Sequence, residues 1–266
     1  MEPITGFAAG VPFTALPPEG VAGPAPLVVA WHMLDAPRSD AAFAAALPMA
    51  GVPAWRVYLG MPFCGARMVN GTMDAGLELV RRDSLRAYTD RMISGAAEEF
   101  PAALAALCEQ LPVAPGPIDL VGGSLGGGVA LLTLARGVVP VRAAALVNPA
   151  IRARSVVGLI EKMTEQPYPW DAEANAVADR LDFVARAGEI GDRARVLVVS
   201  GELDFPQFRA DAGALVHALR AHGADAEVVT VPDLAHPLAE EPGIEPAPQL
   251  PIAKTVDDIL TEWFTR

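Results

Sequence analysis

Residues Ile118–Ala135 read IDLVGGSLGGGVALLTLA, with five glycines crowded around Ser124. The run IDLV has the character of a buried strand and VALLTLA that of a helix, so the glycines mark a strand-to-helix turn. Gly122, Gly123, Ser124, Leu125 and Gly126 spell G-x-S-x-G. A bend this sharp forces the serine to positive φ, at a cost of about 1–3 kcal/mol. Side chains two residues either side would collide across the bend. Glycine at 122 and 126 removes them, and Gly127 and Gly128 predict close packing of the helix on the sheet. In return the hydroxyl is held out at the carboxyl edge of the sheet. The Leu125 N–H, at the positive end of the helix, faces the same space. Phosphate binding does not fit: the stretch has no G-x-G-x-x-G and no lysine for a P-loop.

Outward from this turn, apolar runs alternate with helical patterns. Strands are predicted at 27–31 (LVVAW), 55–60 (WRVYLG), 118–122 (IDLVG), 143–148 (AAALVN), 195–201 (RVLVVSG) and 226–231 (AEVVTV). Their near-continuous apolar character suits a parallel sheet covered on both faces. Helices are predicted from a Ser39 or Asp40 cap, over Ser84–Leu111 with a break or kink at Gly95 and Pro101, and over Leu125–Arg136. Two more follow, Phe208–Ala221 with Gly223 as C-cap, and Ile252–Phe264. The alternation predicts an α/β fold, a mostly parallel, doubly wound sheet in one domain over 1–266. Residues 1–26, rich in Pro and Gly, read as loop with one edge strand. Residues 150–190 interrupt the rhythm. Helical patterns at Arg152–Met163 and Ala172–Ala187 flank QPYPW, and predict a small helical cap inserted over the sheet.

Composition narrows the function. A formal net charge of −12 without a basic run argues against nucleic acid as a partner. Cys64 and Cys108 give neither a disulfide framework nor metal-ligand spacing, and read as buried small hydrophobes. The acidic N-terminus and the lack of a long apolar run predict a cytoplasmic protein with no membrane partner.

A serine hydroxyl needs a base, and the base needs an orienting group. Of the four histidines, His217 and His222 fall in or at the end of a helix and read as surface residues. His236, in VPDLAHPLAE, follows the last strand at its carboxyl end, where open α/β sheets build ligand sites, and is the candidate base. Asp204, in VLVVSGELDFP, ends the preceding strand at the same edge and is the candidate orienting acid, with Glu202 as its substitute.

The chain order Ser124, Asp204, His236, the G-x-S-x-G turn and the strand rhythm resemble the α/β-hydrolase superfamily. The tail from SGELD through ALVHALRAHGADAEVVTVPDLAHP is similar to small esterases of the dienelactone-hydrolase and prolyl-oligopeptidase-like branch. The resemblance implies two-step acyl transfer at Ser124 with no cofactor and no metal, acting on a small, largely apolar carboxylic ester, with thioesters and lactones next in order. It leaves open non-hydrolytic chemistry on the same fold and a binding protein without turnover. It also implies a second oxyanion donor where family members commonly carry His-Gly. Here the sequence is WHML. His32 matches and reads as a structural loop residue, while Met33 replaces the glycine. The Leu34 N–H, or next the Met33 N–H, is then the implied partner of Leu125, and a β-carbon at 33 is expected to narrow the pocket. Met33, Leu34, Met61, Phe63 and Cys64 are expected to line that pocket, with Tyr168 and Trp170 closing it from the cap. Arg38, Arg67, Arg152 and Arg154 read as solvated rather than anion-binding. Activity is expected to rise between roughly pH 6 and 7.5 as His236 loses its proton.

Overall fold

A computed structural model describes residues 2–266. The apolar runs pair into one eight-stranded sheet of order β1-β2-β4-β3-β5-β6-β7-β8. Six strands are parallel: β3 (Leu27–Trp31), β4 (Trp55–Leu59), β5 (Ile118–Gly123), β6 (Val141–Val147), β7 (Arg195–Gly201) and β8 (Ala226–Val231). The lead-in is more ordered than the single edge strand expected. It folds into an antiparallel hairpin, β1 (Ile4–Ala8) and β2 (Val11–Leu16), with β2 antiparallel to β4. Its two-residue turn holds Ala9 at φ 48° and Gly10 at φ 85°. That left-handed pair suits the twist of a hairpin, but an alanine where Asn or Asp is usual hides it from a sequence reading.

Strand pleating splits the core. Val29 and Trp31 face one side with α3 (Asp90–Gln110), α4 (Leu125–Arg136) and α8 (Pro206–Ala221), while Val28 and Ala30 face the other with α1 (Asp40–Ala46) and α9 (Pro251–Thr265). Successive residues of one strand thus serve opposite layers, which is why the strands carry no polar alternation. Ser39 caps α1, its Oγ accepting from Ala42 N at 3.1 Å.

Helix α3 corrects an expectation. It runs unbroken through Gly95 and Pro101 after a wide, underwound π-helical turn at Ser84–Thr89. Pro101 costs the helix interior about 3 kcal/mol. The stripe Met92, Ile93, Ala96, Ala97, Phe100, Ala103 and Leu107 is buried, and Phe100 sets its ring edge-on to Trp31 at 4.9 Å. Tertiary burial on that scale outweighs one local penalty. Helix α2 (Asp74–Arg82), by contrast, buries no residue, so no apolar stripe announces it.

Segment 150–190 carries α5 (Ala153–Thr164), α6 (Ala172–Arg180) and α7 (Ala187–Ile190). The single helix predicted over Ala172–Ala187 is divided because Asp182 intervenes. Its Oδ1 accepts from Val184 N at 3.1 Å and Ala185 N at 3.0 Å, holding a turn instead of a helix. The segment is fastened at two places. Arg152 and Ser155 grip Asp211 of α8 at 2.7 and 2.5 Å. Tyr168 Oη donates to Asp83 at 2.8 Å, and Arg86 pairs with Asp171 at 3.0 Å.

The strand order positions the site. Beyond β3 the sheet grows through β4 to one side, and beyond β5 it grows through β6, β7 and β8 to the other. Winding reverses between β3 and β5, and crossovers that diverge there leave a crevice at the carboxyl ends of those two strands. Residues 32–35 and Ser124 follow those ends directly. Among the described residues no helix is long and apolar enough to cross a membrane.

Candidate active site

Ser124 sits at φ 49° and ψ −120°, a strained conformation held from both sides. Its N–H donates to Val147 O at 3.0 Å, and its carbonyl accepts from Gly127 N at 2.9 Å and Ala150 N at 2.8 Å. A β-carbon at Gly122 would lie 2.3 Å from Gly126 O, and one at Gly126 would lie 2.2 Å from Trp31 O. Both positions therefore exclude every side chain. Of the helix glycines, Gly126 makes the close approach to the sheet. Gly127 and Gly128 abut Pro149 and Ile93 instead, with hypothetical β-carbons at 2.6 and 2.8 Å.

The loop after β8 brings His236 to this turn. Its Nε2 lies 2.9 Å from Ser124 Oγ and its Nδ1 lies 2.7 Å from Asp204 Oδ1. A carboxylate only accepts, so Nδ1 carries the proton and Nε2 is left to accept from the serine hydroxyl. Asp204 Oδ1 also accepts from Phe205 N at 2.6 Å, while Oδ2 is buried with no partner among the described residues. Ser124, Asp204 and His236 are 5%, 4% and 4% exposed, so water is largely kept from the chain of bonds. Phe205 and Phe208 flank the imidazole with ring centroids at 4.9 and 5.3 Å. Glu202, the substitute acid, is exposed and donates its N–H to Val231 O.

On the facing side, Leu125 N–H opens α4, and among the described residues it donates to no acceptor. Leu34 is half-buried after β3, and among the described residues its N–H donates to no acceptor. Met33 departs from expectation. Its side chain is fully buried beneath the crevice in the layer containing Phe43, so its β-carbon narrows no pocket. A β-carbon at Gly123 would lie 2.6 Å from Met33 Cγ, which shows how closely the methionine fills that floor.

No family model and no curated protein matches the chain. Solved structures do match. Pyrococcus horikoshii acylaminoacyl peptidase superposes with a TM-score of 0.68 at 14% identity, over 100% of this chain but only 41% of its own. A putative dienelactone hydrolase from Klebsiella pneumoniae superposes with a TM-score of 0.66 at 16% identity, and TT1662 from Thermus thermophilus with 0.65 at 18%; each covers 100% of both chains. The chain has the α/β-hydrolase fold.

Within this α/β-hydrolase fold one tying residue gave no sequence signal. Asn148, just past β6 at φ 43°, donates from Nδ2 to Ala235 O at 2.8 Å and His236 O at 3.2 Å. Its Oδ1 accepts from Gly201 N at 2.7 Å. One side chain thus joins the carboxyl ends of three strands and fixes the loop that carries the histidine. Asn also tolerates the left-handed backbone better than most residues. Asn148→Ala should cost about 1–3 kcal/mol of stability for the buried groups it strands, and lower kcat more than it changes KM. Urea unfolding with steady-state kinetics reads both; an unchanged kcat would contradict the role.

His32 is fully buried and works as a loop brace. Its Nδ1–H donates to Met33 O at 2.6 Å and its Nε2 accepts from Met61 N at 3.1 Å, so both bonds need the neutral ring. Burial, the largest influence, lowers its pKa from the ordinary value. The unfolded chain then binds a proton near pH 6.5 that the native ring refuses. Stability therefore falls as pH drops from there toward the depressed value, by up to about 1.4 kcal/mol per unit. Ring-proton chemical shifts of His32 should stay at their neutral position at pH 5.5, and His32→Gln should flatten the acid loss of unfolding free energy. A His32 ring that titrates at the ordinary value would refute this.

The remaining expected pocket residues scatter. Met61 is fully buried in the core and offers a ligand no surface. Cys64 is buried against Arg38, Gly65, Met68, Met73 and Ile244, and burial pushes its thiol up to about 12. Cys108 is exposed, against the buried reading. Phe63 is half-buried beneath Arg91, whose guanidinium sits 5.1 Å from the ring centroid. Tyr168 and Trp170 stack edge-on at 4.9 Å, with Trp170 exposed. The four arginines are paired rather than freely solvated: Arg38 with Glu241, Arg67 with Glu99, Arg152 with Asp211 and Arg154 with Asp179.

Proposed function

We propose that the protein is a serine hydrolase that cleaves a small carboxylic ester, with thioesters and lactones close behind. The observation that carries this reading is the Ser124–His236–Asp204 chain, with contacts of 2.9 and 2.7 Å ending on a serine at positive φ. A protein that only binds has no use for that strain. His236 Nε2 takes the Ser124 proton as Oγ attacks the carbonyl carbon. The oxyanion is held by the Leu125 and Leu34 N–H groups, each worth about 2.7–4 kcal/mol of barrier lowering. The imidazolium then gives its proton to the departing oxygen, and water activated by the same ring releases the acid. Asp204 holds the tautomer and stabilises the imidazolium throughout. This chemistry calls on no metal or cofactor. The unpaired thiols of Cys64 and Cys108 favour a reducing, cytoplasmic setting.

A fluorophosphonate probe should label the wild-type chain and not Ser124→Ala. A panel of nitrophenyl esters and acyl thioesters of graded length should then show turnover, fastest for short apolar acyl groups. Labelling that survives loss of the hydroxyl would sink the assignment of the nucleophile. Labelling without turnover across the panel would favour non-hydrolytic chemistry on this fold.

A further inference from the structure

A second carboxylate, outside the triad, reaches the base. Asp35 Oδ2 lies 3.4 Å from His236 Nε2, on the side away from Asp204, and the Asp35 side chain is 48% exposed. Nε2 is the atom that hands its proton to the leaving group, so whatever leaves must stand within a few ångströms of this carboxylate. No cation claims it. Among the described residues Asp35 forms no hydrogen bond and no ion pair with Lys or Arg. Arg38, three residues on, is turned to Glu241 and Met73 Sδ. Leu34 precedes Asp35, Phe205 and Phe208 line the imidazole, and Ser124 faces it. A half-exposed carboxylate with no Lys or Arg beside it sets a negative potential where the leaving group stands, and a cation there would complete it.

We propose that Asp35 is a specificity-determining residue that selects substrates carrying a positive charge on the leaving-group side of the scissile bond. This rests on the serine-hydrolase reading above and adds its substrate class: an apolar acyl group joined to an ammonium-bearing alcohol or thiol. Anionic leaving groups are disfavoured by the same carboxylate and by the net charge of −12. In the step itself Oγ–C forms, C–O or C–S breaks, and the serine proton passes through Nε2 to the departing atom. Asp35 takes no proton; it holds the cation beside it.

The test uses isosteric thioesters. Thiocholine and 3,3-dimethylbutanethiol differ only in a quaternary nitrogen against a quaternary carbon, and each is supplied as its acetyl and butyryl thioester. After correction for hydroxide-catalysed reactivity, wild-type kcat/KM should favour the thiocholine ester by about tenfold or more at low salt, the preference shrinking as salt screens it. Asp35→Asn should bring the ratio close to one. A merely structural role would lower both rates together and leave the ratio in place. A wild-type ratio near one, or a ratio unmoved in Asp35→Asn, overturns the proposal. Turnover of neither thioester by a chain that the fluorophosphonate still labels at Ser124 also overturns it while sparing the nucleophile. Failure of labelling instead removes the hydrolase reading beneath it.

Discussion

Ser124→Ala should lower kcat by about a millionfold while leaving the fold intact. In a triad of the kind proposed the nucleophile acts as a unit with its base, so losing the hydroxyl would idle His236 and Asp204 as well. The fold survives because the turn is held by main-chain bonds, Ser124 N to Val147 O and Ser124 O to Gly127 N and Ala150 N, none of which needs the hydroxyl. Alanine also bears the same positive-φ penalty as serine. Steady-state hydrolysis of the best ester from the panel, with thermal melting as control, reads both. More than about a hundredth of wild-type kcat surviving would be incompatible with Ser124 as nucleophile, given the magnitude expected for such a loss.

Asp204→Ala should cost about 3 × 10⁴ in kcat, because the imidazole loses both the acceptor that fixes its tautomer and the charge that stabilises its cation. Asp204→Asn should cost less. Oδ1 serves both His236 Nδ1 and Phe205 N, while Oδ2 has no partner among the described residues. An asparagine can therefore keep its oxygen on both donors and turn its amide into the unpartnered side, preserving the tautomer while losing the charge. The ordering wild type, Asn, Ala in kcat tests this, and the Nδ1 proton resonance should persist in the Asn variant. Equal damage from Asn and Ala would show that the amide flips toward the ring. Adding Asp204→Ala to Ser124→Ala should lower kcat no further, since neither residue acts without the other.

Much of this architecture is legible in the residues because burial on both faces writes the parallel strands as unbroken apolar runs. The turn at Ser124 is legible because its geometry tolerates only glycine at 122 and 126. The convergence of residues 124, 204 and 236 follows once strand ends are taken to share one edge. What escaped lies where local rules and tertiary packing disagree. Pro101 stays in a helix because one face of that helix is buried against the sheet. Asn148 looks like any polar residue after a strand until Gly201, Ala235 and His236 come to meet it. Asp35 sits in the loop after β3, yet His236 lies about two hundred residues further along the chain, and no spacing rule links them. Met33 departs from the expectation because its side chain turns down through the loop into the layer below rather than along the loop.

That downward turn has an engineering corollary. Met33 and the bare backbone of Gly123 occupy one volume between them, so the two positions are tied as a pair. Trimming Met33 to enlarge the reaction chamber would hollow out the foundation of the turn and leave the chamber as it was. A bulkier residue at 123 becomes tolerable only when 33 shrinks in step. Natural or designed variants that change one of these sites should be found to have changed the other.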